Sequence, residues 1–372
     1  MFSLPFGGGF PVSGIVEIDG SMLEGGGQIL RTSVALSALT GKPVKIFNVR
    51  ARRNPPGLRY QHLTAIKTVG ALTEAEVEGL EVGSTEVKFN PKTIKSGSFS
   101  FNVGTAGSIT LILQALAPVA AYAPGEVKVE ITGGTNTKWS PPVEYVKEVL
   151  FPTLEKMGFK GQLETVRRGF YPEGGGLVRA GFQPVKKLKP LSFTVQDEIE
   201  EVRGLVYSCR LPRHVGERMV RAATRKLREA GYPEPVFEVE TLQQDHPKCS
   251  IGAGCGIIII VRFKNGCLMA ADSLGEKGKP AERVGMEAAE KLISQLRTSA
   301  PIDVHLADQL TVWMALADGV SQIKASKLSL HTLTAIEVCK RFLEAEFEVE
   351  GNLGETCLIT CRGVGLENRF IG

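Results

Sequence analysis

The feature that most constrains this chain is internal repetition. Three times the sequence presents a helix opened by small or polar residues, then a β-branched strand, then a second helix followed by further strands. First helices are expected near Gly27-Gln28, Gly107-Ser108 and Asp308-Gln309, and second helices near Leu58-Arg59, Pro142-Val143 and Leu330-His331. The second helices carry apolar residues three and four apart, as in Val143, Val146, Val149 and Leu150. Strand patterns at 43–48 and 126–131 follow the first two helices. The fold class is therefore α+β, with repeated βαβα-type modules that each cover one sheet face with paired helices. One such module is a weak core alone, so the units should pack together, and their helix starts could converge on a shared cleft.

The spacing also shows an interruption. The offset from the first unit to the second is about 80 residues, but from the second to the third it is about 200. A segment of its own pattern fills the gap. It holds charged amphipathic helices at 214–230 and 280–296, and strand patterns at 236–241 and 257–263. The expected organisation is a core of three α/β modules, 1–184 and 299–372, with a smaller inserted α/β domain at 185–298.

At 372 residues two or three domains are expected, taking ~150 residues per domain. A hydrophobic share of 43% and a charged share of 23% are those of an ordinary globular protein, and a net charge of +4 is too mild to imply nucleic-acid binding by itself. What matters is where the positive charge clusters. The seven cysteines form no CxxC pair and most lie in apolar runs, which reads as buried free thiols. No basic residue precedes Arg31, so no secretory n-region is read, and the apolar stretch 111–124 contains Gln114 and two prolines. A cytoplasmic protein without membrane partners is expected.

The chemistry should lie in two neighbouring segments. Glu-Gly-Gly-Gly-Gln-Ile-Leu-Arg (24–31) opens the first helix with three glycines, where bare backbone and helix-start N–H groups suit an anion. Glu24 ahead of them offers a hard oxygen ligand for Mg²⁺ or Mn²⁺. Gln28 and Arg31 stand on the helix face that follows. The segment 50–62 then carries Arg50, Arg52, Arg53 and Arg59 around Pro55-Pro56-Gly57, with no acidic residue between Asn48 and Thr73. Stiffly presented guanidinium forks of one sign favour phosphate binding. Small-residue turns at 104–108, 133–135 and 174–176 allow close approach, but each reads more often as a plain turn. Neither a P-loop nor a strand-linked GxGxxG is present.

Two of the five histidines are candidate nucleophiles. His331 opens a helix, where the macrodipole disfavours imidazolium and leaves a ring nitrogen free to attack phosphorus. Its phase with Ala335, Val338 and Phe342 puts it on the inward stripe. His305 stands beside Asp308 and Gln309. Residue chemistry alone does not choose between them.

These motifs resemble those of the RNA 3′-terminal phosphate cyclases, over nearly the whole chain. The resemblance rests on 24–31, on Pro-Gly-Leu-Arg-Tyr-Gln-His-Leu (56–63), on Gly-Phe-Tyr-Pro-Glu-Gly-Gly-Gly (169–176), on Leu-Ala-Asp-Gln-Leu (306–310) and on His-Thr-Leu-Thr from His331. It implies repeated modules with one inserted domain, and it implies His331 as the nucleophile. By the same resemblance Glu24 holds the metal, and Gln28, Arg31, Gln114, Asp308 and Gln309 contact the nucleotide. His305 stands where bacterial relatives place a tyrosine against the adenine. Arg50, Arg53 and Arg59 would meet the substrate phosphate. The implied reaction uses ATP and Mg²⁺ or Mn²⁺. AMP passes from ATP to His331, then to an RNA 3′-terminal phosphate, and the neighbouring 2′-OH closes a 2′,3′-cyclic phosphate. The partner is RNA with a 3′-terminal phosphate, and a homo-oligomer remains open. Two other classes stay in view: a non-catalytic cyclase-like protein of ribosomal RNA processing, and an enolpyruvyl-type transferase.

Overall fold

In a computed structural model, which describes residues 14–372, the repeats are explicit in the strand pairing; residues 1–13 of the expected core lie outside the described residues. The first unit runs β1 (Val16–Asp19), α1 (Gly27–Thr40), β2 (Val44–Phe47), α2 (Tyr60–Thr73), β3 (Glu76–Glu78) and β4 (Val87–Asn90). Its sheet has the order β1-β2-β4-β3. The first pair is parallel, with Val16 opposite Val44, because a helix carries the chain back across the sheet; the other two pairs are antiparallel. The second unit repeats this with β5 (Gly97–Asn102), α3 (Ile109–Ala121), β6 (Val127–Gly133), a bent second helix, β7 (Lys160–Arg167) and β8 (Gly176–Gln183), in the order β5-β6-β8-β7. The bent helix joins α4 (Val143–Tyr145) to α5 (Phe151–Glu155) through a π-helical turn, Val146–Leu150.

The third unit is split. Its first strand, β9 (Ser192–Phe193), is followed by the inserted segment: β10 (Ile199–Cys209), α6 (Arg213–Glu229), β11 (Val236–Leu242), β12 (Gly254–Phe263), β13 (Leu268–Leu274) and α7 (Ala281–Leu296). The chain then completes the unit with α8 (Val304–Leu316), β14 (Val320–Ala325), α9 (Leu330–Phe342), β15 (Glu346–Glu350) and β16 (Cys357–Arg362). The sheet β9-β14-β16-β15 keeps the order of the other two. Here two expectations are corrected. Ser192–Phe193 pairs in parallel with β14, so this strand belongs to the third unit and not to a segment beginning at 185. Two paired residues give too short a signal to find in the sequence. The third first helix begins a turn before Asp308, because Asp303 caps it: its carboxylate accepts from the N–H groups of His305 and Leu306 at 2.9 and 2.8 Å.

The helices form the centre. α1 lies against α2, α3 and α9, and α8 against α3 and α9. The composition of α3 explains its place. Apolar but for Thr110 and Gln114, with Ile112, Leu113, Leu116 and Val119 all buried, it can only sit inside. Each large aliphatic chain so buried contributes about 1.5–3 kcal/mol. The inserted segment has its own sheet, β11-β10-β12-β13, yet Ile257 to Val261 join the same continuous apolar core as the three units. Arg218 and Lys226 bridge its two helices: Arg218 grips Glu282 with a pair of bonds at 2.6 and 2.7 Å, and Lys226 reaches Glu290. That is a solvated ion-paired face. All seven cysteines are buried thiols, and among the described residues no helix is long and apolar enough to cross a membrane.

Candidate active site

Four helices aim their N-terminal halves at one place. α1 brings Gln28 and Arg31, α3 brings Gln114, α8 brings His305 and Asp308, and α9 brings His331. The residues are 300 apart in sequence but meet by hydrogen bonds. Gln28 Nε2–H donates to the His331 carbonyl at 3.1 Å, and Gln28 Oε1 meets His331 Nδ1 at 2.6 Å. This clamp fixes the ring's tautomer. A carbonyl oxygen can only accept, so the amide nitrogen must face it, and the amide oxygen is then left facing Nδ1. An oxygen there requires a proton on Nδ1. Nε2 is therefore the nitrogen with the free lone pair. Partial burial, with Arg31, His305 and Arg53 adding to it and Glu24 opposing, holds the ring's pKa below its ordinary 6.5.

Although Ala335, Val338 and Phe342 are buried, His331 itself is exposed. The expected inward stripe leaves the core at the first turn of α9 and opens into the cleft. Ser329 caps that turn, its Oγ accepting from Thr332 N–H at 3.0 Å. One turn on, Thr334 Oγ1 accepts from Glu24 N–H at 3.2 Å, which ties the glycine loop to the helix of His331.

The glycines now have physical reasons. Gly25 adopts a left-handed φ of +63° in a turn closed by its N–H on the Met22 carbonyl at 2.8 Å. A Cβ on Gly26 would overlap the Glu24 carboxylate, and one on Gly27 would overlap His62 Nε2 and crowd Arg31. The space beside Gly27 is thus a cradle lined by a guanidinium and an imidazole at an α1 N-terminus without a side-chain cap. Glu24 Oε1 pairs with Arg53, whereas Oε2 is buried with no hydrogen-bond partner. A buried carboxylate oxygen left alone is costly, and it is the donor a hard cation takes.

The electrostatics of the cleft are coupled. Arg31 donates to Gln114 Oε1 at 2.9 Å, and burial lowers its pKa to about 10 against the pull of Glu24 and Asp308. Burial pushes the Asp308 carboxyl well above the usual range, with Asp303 adding and Arg31 opposing. Gln309 donates to the His305 carbonyl on its own helix at 3.2 Å. With Gln114, Asp308 and Trp313 it lines a cavity between α1, α3, α5 and α8.

The arginine segment is less free than its sequence suggests. Arg50 donates to the Pro55 and Gly57 carbonyls at 3.0 and 2.8 Å, so it holds the turn as well as lining the cleft. Arg53 finds its acid in Glu24, from outside the one-signed segment. Arg59 is exposed beside them and shares its field with Arg50. One residue that stood in this segment without a site role comes to the fore. His62 is buried, its Nδ1 accepting from Arg59 N–H at 3.1 Å, so its Nε2 carries the proton toward the Gly27 cradle. Burial and the fields of Arg31, Arg50 and Arg59 lower its pKa to about 3. It is a neutral N–H donor at any working pH. Only the packing of α2 onto α1 reveals this; the sequence signal was its place after the Pro-Gly turn.

A family model described as RNA 3′-terminal phosphate cyclase matches residues 22–349. The RNA 3′-terminal phosphate cyclase of Methanopyrus kandleri is 47% identical over 352 residues, covering 94% of this chain and 99% of its own. That of Ignicoccus hospitalis is 46% identical over 351 residues, with 94% and 99% covered. That of Pyrococcus furiosus is 45% identical over 342 residues, with 92% and 97% covered.

Proposed function

The chain belongs to the RNA 3′-terminal phosphate cyclase family, and from that premise we propose that it uses ATP to convert an RNA 3′-terminal phosphate into a 2′,3′-cyclic phosphate through a covalent His331–AMP and an RNA-adenylate. The observation that carries the reading is the Gln28 clamp, which holds His331 in the tautomer that attacks through Nε2.

In the first step the Nε2 lone pair forms a bond to the α-phosphorus of ATP, the bond to the β-phosphate oxygen breaks, and pyrophosphate leaves. Nδ1 keeps its proton against Gln28 Oε1, so the adenylylated ring is an imidazolium and a good leaving group. Arg31 and the α1 amides would offset the charge that builds on the transferring phosphate. In the second step an oxygen of the RNA 3′-phosphate forms the bond to that phosphorus and the P–N bond breaks. In the third the neighbouring 2′-oxygen attacks the 3′-phosphorus, AMP leaves, and the hydroxyl proton goes to solvent. Holding both groups on one ribose supplies much of the advantage. Arg50, Arg53 and Arg59 would hold the RNA terminus, and Gln114, His305, Asp308 and Gln309 the nucleotide.

Glu24 Oε2 fits Mg²⁺ or Mn²⁺. Among the described residues no group of three or more acidic, histidine or cysteine side chains could hold a metal, so Glu24 would be the protein's ligand, with phosphate oxygens and water completing the shell. When bound, such an ion offsets charge on the transferring group.

Incubation with α-labelled ATP and metal tests the reading. An acid-labile label is expected on the wild type and not on His331→Ala. An unlabelled wild type sinks it and leaves the non-catalytic ribosomal RNA-processing reading. An enolpyruvyl-type transferase would also remain unlabelled.

A further inference from the structure

Among the described residues the aromatic side chains left exposed are Tyr60, Trp139 and Tyr171, at 51%, 95% and 79%. They come from three segments remote in sequence, and those segments adjoin one another around the small-residue loop 104–108, next to the arginine cluster. Tyr60 opens α2 next to the exposed Arg59, at the end of the segment that carries Arg52 and Arg53. Gln61 Oε1 accepts from Ser108 N–H at 3.3 Å, which ties α2 to the small-residue loop 104–108. Gly174 lies against that loop so closely that a Cβ there would stand 2.8 Å from Ala106 Cα. Gly174 belongs to the loop 168–175, which carries Tyr171. The Gly169 carbonyl of the same loop accepts from Thr135 N–H at 2.9 Å, where the segment carrying Trp139 begins.

The supports of these rings are rigid. Arg168 is 1% exposed and donates to Glu144 at 2.7 Å, pairs with Glu240, and lies 4.4 Å from the Tyr207 ring centroid. Gly174 N–H closes the loop on the Phe170 carbonyl at 2.7 Å, and Arg167 Nε donates to the Gly175 carbonyl at 2.7 Å. The Trp139 segment is tied to the inserted segment by the ion pair of Lys138 with Glu276 at 2.9 Å. The rings themselves do nothing for the core. Trp139 leaves its large apolar surface in water and also takes a φ of +62°, unfavourable for a bulky residue. Folding gives no reason for either feature.

We propose that Tyr171 and Trp139 are stacking platforms for the bases upstream of an RNA 3′-terminal phosphate, with Tyr60 at the entrance to the cleft. This rests on the cyclase reading and extends it to the body of the RNA. The occupant follows from the chemistry these segments bring together. Guanidinium groups gather where the terminal phosphate belongs. Loops of glycine, alanine, serine and threonine offer bare backbone to a passing strand. Open ring faces are the third element, and an aromatic face stacks any base. A duplex hides its base faces, so the strand must be single. Because stacking reads no hydrogen-bonding edge, the track is indifferent to sequence.

The test compares two substrates on the full chain: a dinucleotide 3′-phosphate, which carries a single base upstream of its terminal nucleotide, and an oligonucleotide 3′-phosphate of about ten residues. Trp139→Ala and Tyr171→Ala should each raise KM for the longer RNA about tenfold, since one stacked base is worth about that much or more. They should leave kcat, KM for the dinucleotide and labelling by α-labelled ATP unchanged, and Tyr171→Phe should behave as wild type. Unchanged KM at both lengths overturns the proposal and assigns the rings to a protein surface; equal loss at both lengths overturns it as a general structural defect. A wild type that cyclises neither RNA would instead refute the cyclase reading itself.

Discussion

Replacing Gln28 by methionine keeps the length and shape of the side chain and removes both hydrogen bonds to His331, at 3.1 Å to its carbonyl and 2.6 Å to Nδ1. Each such bond is worth about 0.5–1.5 kcal/mol net, so the pair supplies about 1–3 kcal/mol of positioning. If that energy is expressed in the attack on phosphorus, the adenylylation rate falls about 5- to 150-fold. The upper end is expected, because without an acceptor at Nδ1 the ring is free to carry its proton on Nε2, where no lone pair then remains. The assay is single-turnover transfer of label from α-labelled ATP to the protein, with ATP concentration varied. Saturating rate should drop while the concentration giving half of it stays nearly constant, since both amide atoms are engaged by the histidine. A Gln28→Met protein that labels at the wild-type rate, or that loses only ATP affinity, refutes the tautomer argument.

Other consequences follow from the same geometry. Attack requires a neutral ring, and burial lowers the His331 pKa, so labelling should rise with pH through a value under 6.5 and then stay level; an acid limb centred above 6.5 contradicts the site as described. His62 is charged when unfolded below about 6.5 but stays neutral in the fold down to about 3. Its contribution to stability is therefore complete above 6.5 and is lost as pH falls toward 3, by up to about 1.4 kcal/mol per unit; denaturant titrations of wild type and His62→Gln across that window should converge at low pH. Removing Arg168 leaves Glu144 and Glu240 without their common cation, so Arg168→Met should lose about 3–5 kcal/mol by urea unfolding. Arg53→Ala frees Glu24 Oε1, so it should disturb both labelling and RNA use, whereas labelling unaltered by the change would mean that the pair has no part in the nucleotide step.

Much was legible in the order of residues alone. The triple pattern of helix and strand fixed the modules, because each element needs only its own periodicity: α3 is apolar but for Thr110 and Gln114, and buried Val44 and Ile46 flank the half-buried Lys45 in β2. Glycine beside a carboxylate, and arginines around a Pro-Gly turn, pointed to an anion site because their chemistry is local. Where the signal was short or depended on a distant partner, reading along the chain failed. The two-residue strand β9 is defined only by its pairing with β14, and the cap at Asp303 moved the start of α8.

What the tertiary structure alone decided is which atoms face each other. The sequence made His331 and His305 equal candidates on residue chemistry, and the resemblance favoured the first. The fold places Gln28 against His331 from 303 positions away and so settles which ring nitrogen holds the proton. It gives Arg53 its carboxylate and leaves the other oxygen of that carboxylate buried and unpaired. It turns His62 into a neutral donor by burying it and setting three guanidinium groups around it. Protonation and orientation depend on distance and burial, which fall off within a few ångströms of each group. No spacing along a chain can state them until three modules have packed their helix ends into one cleft.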